Sequence, residues 1–484
     1  MSGKSVRYPY GSTAALRGEV LRVLGVLKVA TPDQIQRLTR PHLSYRYGES
    51  ERDRRNKAHR NAALDLAKHG QTVSEGNTRA GLKLWGLTPL GLEAAARELD
   101  RPLEEMGSVA RGTGTHGAAH AMAVNDTIAA FIQPRPTPDE LTELPEGGRV
   151  AAEGLPRGMG TLDGWSTELG LAVSGTWSKP GRGSAQADAV LVAPEHGVPL
   201  LFVEVDCGHM TPEKISEKFA KYERFFHRTV KDTDGTEKPM WCTRWAASGR
   251  EGFPPIALVF TGRGPNSLQQ RMRAVKDLSI AHWAGGRTHN DAYVDYDGRI
   301  PIVVTTLERL QMNGPYGQTW WRYSRGTWQP LNTALDNPDG FHVYRDRLRA
   351  VREAQRRQEE RAAAEREKHR PVCTRCEERF TDGRWRQIED TAQRERHPEL
   401  CADCAWQQVD IARFEAQAQQ RAAMATCEEC GGPLRGTDPE GENRYLWHDD
   451  DEGVPPPDGI HCPACRFGLS KPKTRIGRIL RRRG

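Results

Sequence analysis

The stretch Ser184–Phe226, SAQADAVLVAPEHGVPLLFVEVDCGHMTPEKISEKFAKYERFF, decides the fold. Two short apolar and β-branched runs, Gln186–Val192 and Leu200–Asp206, flank a six-residue connection, Pro194–Pro199. Proline and glycine in that connection mark a hairpin. Folded about it, Asp188 comes opposite or nearly opposite Glu204, and alternation puts Glu204 and Asp206 on one face. Asp188, Val190 and Val192 share one side of their own strand. Three carboxylates at the end of an apolar sheet face are costly unless a cation or hydrogen bonds compensate them. The next helix opens with Thr211 as N-cap and Pro212 at its first position. Ile215, Phe219, Tyr222 and Phe226 recur at helical spacing and would pack on the sheet, while Lys214, Lys218 and Lys221 line an adjacent face. Acids beside a lysine are the grouping with which metal-dependent phosphodiesterases hold Mg²⁺, polarise a phosphate and activate water. The same spacing fits equally a surface hairpin with capping acids and a solvated lysine face.

A chain of 484 residues predicts about two to four domains. With 37% hydrophobic and 28% charged residues it suits soluble domains joined by polar segments. No apolar run approaches the ~18 residues of a membrane span. The segment MSGKSVRYPYG lacks the apolar centre of a signal peptide, so a cytoplasmic protein with no membrane partner is expected. The net charge of +6 is modest, and its distribution matters more than its sum.

Residues 12–105 read as a winged helix-turn-helix domain. Ala14–Val29 has helical periodicity, and Thr31-Pro32 starts a short second helix. Glu51–His69 makes a third helix, with Arg52, Arg54, Arg55, Lys57 and Arg60 toward its start and Ala63, Leu64 and Leu66 nearer its end. Gly70–Leu87 supplies a two-stranded wing with Arg79 and Lys83 at its turn, and a helix after Thr88-Pro89 closes the domain. Clustered arginines on such a helix point to double-stranded DNA; a solvated face serving protein contacts is the other reading. Residues 112–335 read as an α/β domain. A helix over His116–Ile132 precedes a long Pro/Gly-rich loop at Pro134–Gly160 and a strand near Trp165–Ser174 carrying Glu168. After the hairpin and lysine helix, Asp232–Gly252 reads as a polar excursion. PPIALVF then gives a central strand, Ser267–Leu278 a helix, and Ile300–Leu310 a strand entering a helix.

Residues 340–370 form a charged helical linker, with opposite charges four apart at Glu353/Arg357, Arg356/Glu360 and Arg361/Glu365. Eight of the ten cysteines form four CxxC pairs: Cys373/Cys376, Cys401/Cys404, Cys427/Cys430 and Cys462/Cys465. Each pair places two thiolates on a tight turn, and two turns close a tetrahedral structural zinc site. Sequential pairing predicts two zinc modules, at residues 371–410 and 424–468; interleaved pairing, or a histidine such as His397, remains open. Residues 469–484 form a basic tail. Cys207 and Cys242 stand outside these pairs.

The combination resembles the replication-relaxation proteins of actinobacterial plasmids and mobile elements. The resemblance rests on LWGLTPLG, on HAMAVND (His120–Asp126), on the Glu168 region, and on ADAVLV, FVEVDCG and KFAKY. It continues through VVTTLERL and Trp320-Trp321, covering roughly residues 14–325. It implies a multidomain α+β protein whose central α/β core is restriction-endonuclease-like, of the PD-(D/E)xK type, with a role in plasmid replication or transfer. Asp188 then matches the first acid and Glu204 the second, with Glu168 ahead of them. Asp206 stands where such nucleases usually carry lysine, and Lys218 is the substitute. Three functions compete: a DNA-binding factor recruiting replication or conjugation proteins through its zinc modules, a Mg²⁺-dependent endonuclease or nickase, and a transcriptional regulator.

Overall fold

The computed structural model describes residues 10–422 apart from 111–117, 233, 248, 289 and 392. Cys427, Cys430, Cys462, Cys465, the 424–468 module and the basic tail lie outside the described residues. The chain divides into two units, Met1–Ala350 and Val351–Gly484, so the expected 12–105 and 112–335 segments share one unit.

In the first unit, α1 (Ala14–Leu27) starts at Thr13, whose hydroxyl accepts from the Leu16 N–H, and buries Val20, Leu21, Val23 and Leu24. After β1 (Val29–Ala30), α2 (Pro32–Thr39) is held by a reciprocal capping box between Thr31 and Gln34. A short α3 (His42–Arg46) precedes α4 (Arg52–Lys68). The hairpin of β2 (Thr72–Asn77) and β3 (Lys83–Leu87) gains β1 on its far side, giving the order β1-β3-β2, before α5 (Pro89–Glu98). On α4, Ala62, Ala63 and Leu66 are buried, but Leu64 is 40% exposed; it falls on the solvent side of the helix and not in the core.

Next, α6 (Ala118–Ile132) buries Ala123, Val124, Thr127, Ile128, Ala130 and Phe131. The expected loop at residues 134–160 contains α7 (Pro138–Thr142), with a Thr137/Glu140 capping box, and α8 (Glu146–Glu153). The main sheet is then built by β4 (Trp165–Leu171), β5 (Ala185–Ala193) and β6 (Val198–Asp206), followed by α9 (Pro212–His227). The β5–β6 connection is shorter than expected: Val198 and Pro199 already belong to β6, and Gly197 turns the chain at φ +72°. The expected polar excursion begins at the turn of a small hairpin, β7 (Thr229–Lys231) and β8 (Glu237–Pro239), and it sends Met240 and Trp241 into the core. Further along come β9 (Ile256–Phe260), α10 (Pro265–Leu278) and α11 (Ile280–Trp283). A hairpin of β10 (Gly286–Arg287) and β11 (Val294–Asp295) leads to β12 (Ile302–Thr306) and α12 (Leu307–Asn313). The edge strands β13 (Trp320–Arg322) and β14 (Trp328–Gln329) precede α13 (Leu331–Leu335).

Seven strands form one sheet in the order β14-β13-β12-β9-β6-β5-β4. β6, β9 and β12 are parallel and the remaining pairs antiparallel. All five residues of β9 are buried, as a strand covered on both faces requires. Ala189, Leu191, Leu201, Val203, Val205, Ala257 and Val259 share a core with α1 and α6, while Val190, Phe202, Leu258 and Phe260 pack with α9 and α10. Glu204 and Asp206 therefore face the α9/α10 layer.

The charged helix α14 (Phe341–Lys368) has no buried residue. Of the expected pairs along it, Arg356–Glu360 closes at 3.6 Å. In the second unit α15 (Asp382–Thr391) precedes α16 (Ala402–Ala422). No helix among the described residues is long and apolar enough to cross a membrane.

Candidate carboxylate site and cysteine centre

The antiparallel ladder runs Leu191↔Leu201, Val190↔Phe202, Ala189↔Val203, so its next step puts Asp188 opposite Glu204. Lys218, two turns into α9, reaches both: its ammonium contacts Glu204 Oε2 and lies 3.6 Å from Asp188 Oδ1. The other oxygens are tied to the frame. Asp188 Oδ2 accepts from the Val205 N–H at 2.8 Å, and Glu204 Oε1 accepts from the Tyr222 hydroxyl at 2.5 Å. His120, near the start of α6, adds its Nε2 at 3.3 Å from Asp188 Oδ1, with its Nδ1 3.8 Å from Cys207 Sγ. His120, Glu168, Asp188 and Lys218 line a common cavity of about 220 Å³.

Glu168 is exposed and sits at φ +54°, a conformation that side chains other than glycine rarely adopt. Asp206 belongs to a separate arrangement. It is 2% exposed, and Arg271 of α10 grips it through Nε to Oδ2 and through Nη2 to Oδ1 at 3.1 Å, while the Gly208 N–H donates to Oδ1 at 3.0 Å. The expected three-acid cluster is thus divided, because α9 supplies the cation for one pair of acids and α10 the cation for the third. Among the described residues, the group of three or more metal-ligating side chains whose donor atoms converge is made of cysteines and not of these acids.

Burial alone would raise Asp188, but His120, Lys218 and the Val205 amide hold it below the usual aspartate value. Burial and the Asp188 charge push Glu204 up to about 8 against Lys218 and Tyr222. Burial would lower Lys218, yet Glu204 and Asp188 keep it above the ordinary lysine value. The site therefore holds at least as many cations as ionised carboxylates. A divalent ion about 4 Å from the Lys218 ammonium would meet roughly 8 kcal/mol of repulsion at an effective dielectric near 20. Lys218 thus already compensates the two converging carboxylate oxygens.

The Asp188 and Cys207 partners lift His120 from 6.5 to about 10 despite burial. A raised histidine adds stability that is complete below the unfolded value of 6.5 and is lost as pH climbs toward 10. His120→Gln should remove that part of the decline. Melting temperatures of wild type and variant, followed from pH 6.5 to pH 9.5, should converge as pH rises. A constant gap would contradict the assignment.

The residues expected on DNA divide differently. On α4, Arg54 is exposed and pairs with Glu51 at 3.2 Å; Arg52 and Arg60 pair with Glu49 and Asp53 at 3.7 and 3.4 Å; Lys57 is exposed. Exposed pairs of this kind are worth at most about 1 kcal/mol, so phosphates can replace them. Arg79 and Lys83 are exposed at the β2–β3 hairpin. Arg55 differs: it is 6% exposed and donates to Asp33 of α2 at 2.6 Å, so it braces the helix pair and is withdrawn from the outer face.

In the second unit, the sulfurs of Cys373, Cys376, Cys401 and Cys404 lie within 4.8 Å of one another, and Cys376 and Cys401 are 3.7 Å apart. A tetrahedral ZnS₄ site with bonds of ~2.3 Å has sulfur–sulfur edges of about 3.8 Å, so the four thiolates fit zinc. Pairing of the first motif with the second is sequential, as expected. Phe380, Leu400 and Ala405 pack beneath the cysteines, and buried Arg384 braces the connection by donating to Leu400 O and His397 O. Such a metal would be structural, since four protein ligands leave no open position.

Residues 21–238 match the family model for replication-relaxation. No curated protein and no solved structure matches the chain. The matched segment holds α2, α4, the hairpin, His120, Asp188, Glu204, Asp206 and Lys218. It ends before Arg271, VVTTLERL, Trp320-Trp321 and the cysteines, and so is shorter than the resemblance read from sequence. Three site residues go beyond the sequence expectations. Helical spacing assigns Tyr222 to packing alone. His120 lies in HAMAVND without a role of its own. Arg271 has no local signal.

Proposed function

We propose that this chain is a DNA-binding factor acting in plasmid or mobile-element replication or transfer, with a nuclease-like carboxylate core that does not need Mg²⁺ to be held together. The observation that carries this reading is the outward cationic set on α4, Arg52, Arg54, Lys57 and Arg60, beside Arg79 and Lys83 of the hairpin. The order helix, short strand, helix, short helix, basic helix, hairpin supports a winged helix-turn-helix, whose basic helix meets DNA. The replication-relaxation match supports the biological setting. The β5–β6 hairpin carrying Asp188 and Glu204 supports a restriction-endonuclease-like ancestry for the sheet. The cysteine module suits contacts with replication or conjugation proteins, because α16 leaves Trp406 72% and Phe414 71% exposed.

Fluorescence anisotropy with duplex DNA across about 50–200 mM salt tests the reading. Each lost phosphate contact lowers the slope of log K against log salt by about 0.9, so replacing Arg54, Lys57 and Arg60 with alanine should lower it by roughly 2–3. Absence of salt-dependent binding by the wild-type chain would sink the proposal. A second reading, a Mg²⁺-dependent endonuclease or nickase, is favoured by Asp188 and Glu204 standing across adjacent strands with Lys218 against both. Nicking of supercoiled plasmid that disappears in Glu204→Gln would establish it.

A further inference from the structure

We propose that Lys218 is a built-in replacement for a divalent cation, and that Asp188 and Glu204 accept Mg²⁺ or Mn²⁺ only when its ammonium is absent from between them. The inference deepens the nuclease-like reading of this core and rests on it. Each carboxylate spends one oxygen on a fixed donor, the Val205 N–H or the Tyr222 hydroxyl. Each turns its other oxygen toward a common point, and Lys218 Nζ occupies that point. An ammonium is a compact point charge on a flexible stem, so it satisfies two converging acids without any metal. Directly beside it lies the cavity of about 220 Å³, lined by Gln186, Asn125 and Thr167 as well as the charged groups. Mg²⁺ is commonly held by one or two carboxylates and completes its shell with water, and this space would supply the water. Asp206 cannot act as a spare ligand, because Arg271 holds both of its oxygens.

The test is Mn²⁺ binding to the full-length, zinc-loaded chain, read from the electron paramagnetic resonance signal of free Mn²⁺. Wild type, Lys218→Met, Glu204→Gln and Lys218→Met/Glu204→Gln are compared. The expected result is one additional Mn²⁺ per chain in Lys218→Met, bound at least tenfold tighter than any site of the wild type and lost again in the double variant. Wild-type binding that Glu204→Gln weakens would overturn the proposal, whether or not Lys218→Met folds. So would Lys218→Met that melts cooperatively and gains no site. DNA affinity is read separately by anisotropy, so failure here leaves the DNA-binding proposal standing, and the reverse holds as well.

Discussion

Replacing Cys404 with serine is expected to unfold the module between Pro371 and Ala405 while leaving the first unit intact. The apolar core there is small: Phe380 and Leu400 are its large buried side chains, joined by the cysteines and Ala405. Burying two such side chains contributes about 3–6 kcal/mol. Structural zinc in comparable peptides contributes about 10–16 kcal/mol. The metal term dominates, so losing one of four thiolates removes most of what holds the module. The variant should release one zinc per chain, and trypsin should cut at Arg375, Arg379, Arg384 or Arg386. Glu395 and Arg384 now pair at 3.4 Å within a buried brace, and that protection would vanish with the fold. Chelation of the wild-type protein should reproduce the cleavage pattern. Unchanged proteolysis after one zinc has been lost would show that the core stands without it.

The second large effect is expected at Arg271. Its side chain is 10% exposed and Asp206 beneath it 2%, and α10 is joined to β6 by their two contacts. Arg271→Met leaves a buried carboxylate with the Gly208 amide as its remaining hydrogen-bond donor in that cluster. Breaking a buried pair from one side costs about 3–5 kcal/mol, much of it the uncompensated charge. Urea unfolding of the first unit should show that loss as a lower midpoint. Adding Asp206→Asn should recover a large part of it, because the neutral amide no longer needs a cation. A single variant as stable as wild type would mean that Asp206 finds another cation.

Much of the site was legible because it is local. The hairpin register follows from strand alternation and a short connection, which set Asp188 opposite Glu204. Lys218 falls between Ile215 and Tyr222, one turn from each, so its approach to the sheet followed from helical period. The grouping of Cys373 and Cys376 with Cys401 and Cys404 agrees with the simplest of the pairings that the spacing left open. What sequence reading missed comes from tertiary pairing between distant elements. Arg271 lies 65 residues beyond Asp206, and no motif joins them. His120 meets Asp188 because α6 packs on the sheet, and a helix of small residues gives no sign of which strand it will cross. The two helices in residues 134–160 were different: Thr137-Pro138 is the same start signal found at Thr31, Thr88 and Thr211, and the surrounding Pro and Gly obscured it. Arg55 shows the limit of counting charges, since Arg54 and Lys57 on the same helix face water and it faces Asp33.

The distorted backbone at Glu168 has one further consequence. β4 is the terminal strand of the seven-stranded sheet, and its outer rim is where a second chain would add in cross-strand fashion. Its ladder to β5 has no pair at Glu168, between Thr167↔Ala189 and Leu169↔Ala187, and the left-handed residue there carries an exposed charge. A kinked, charged rim makes a poor template for self-association. The opposite rim is guarded by brevity, because β14 is two residues long. Between these two ends, the apolar parallel strands β6, β9 and β12 each have a hydrogen-bonded neighbour on both sides.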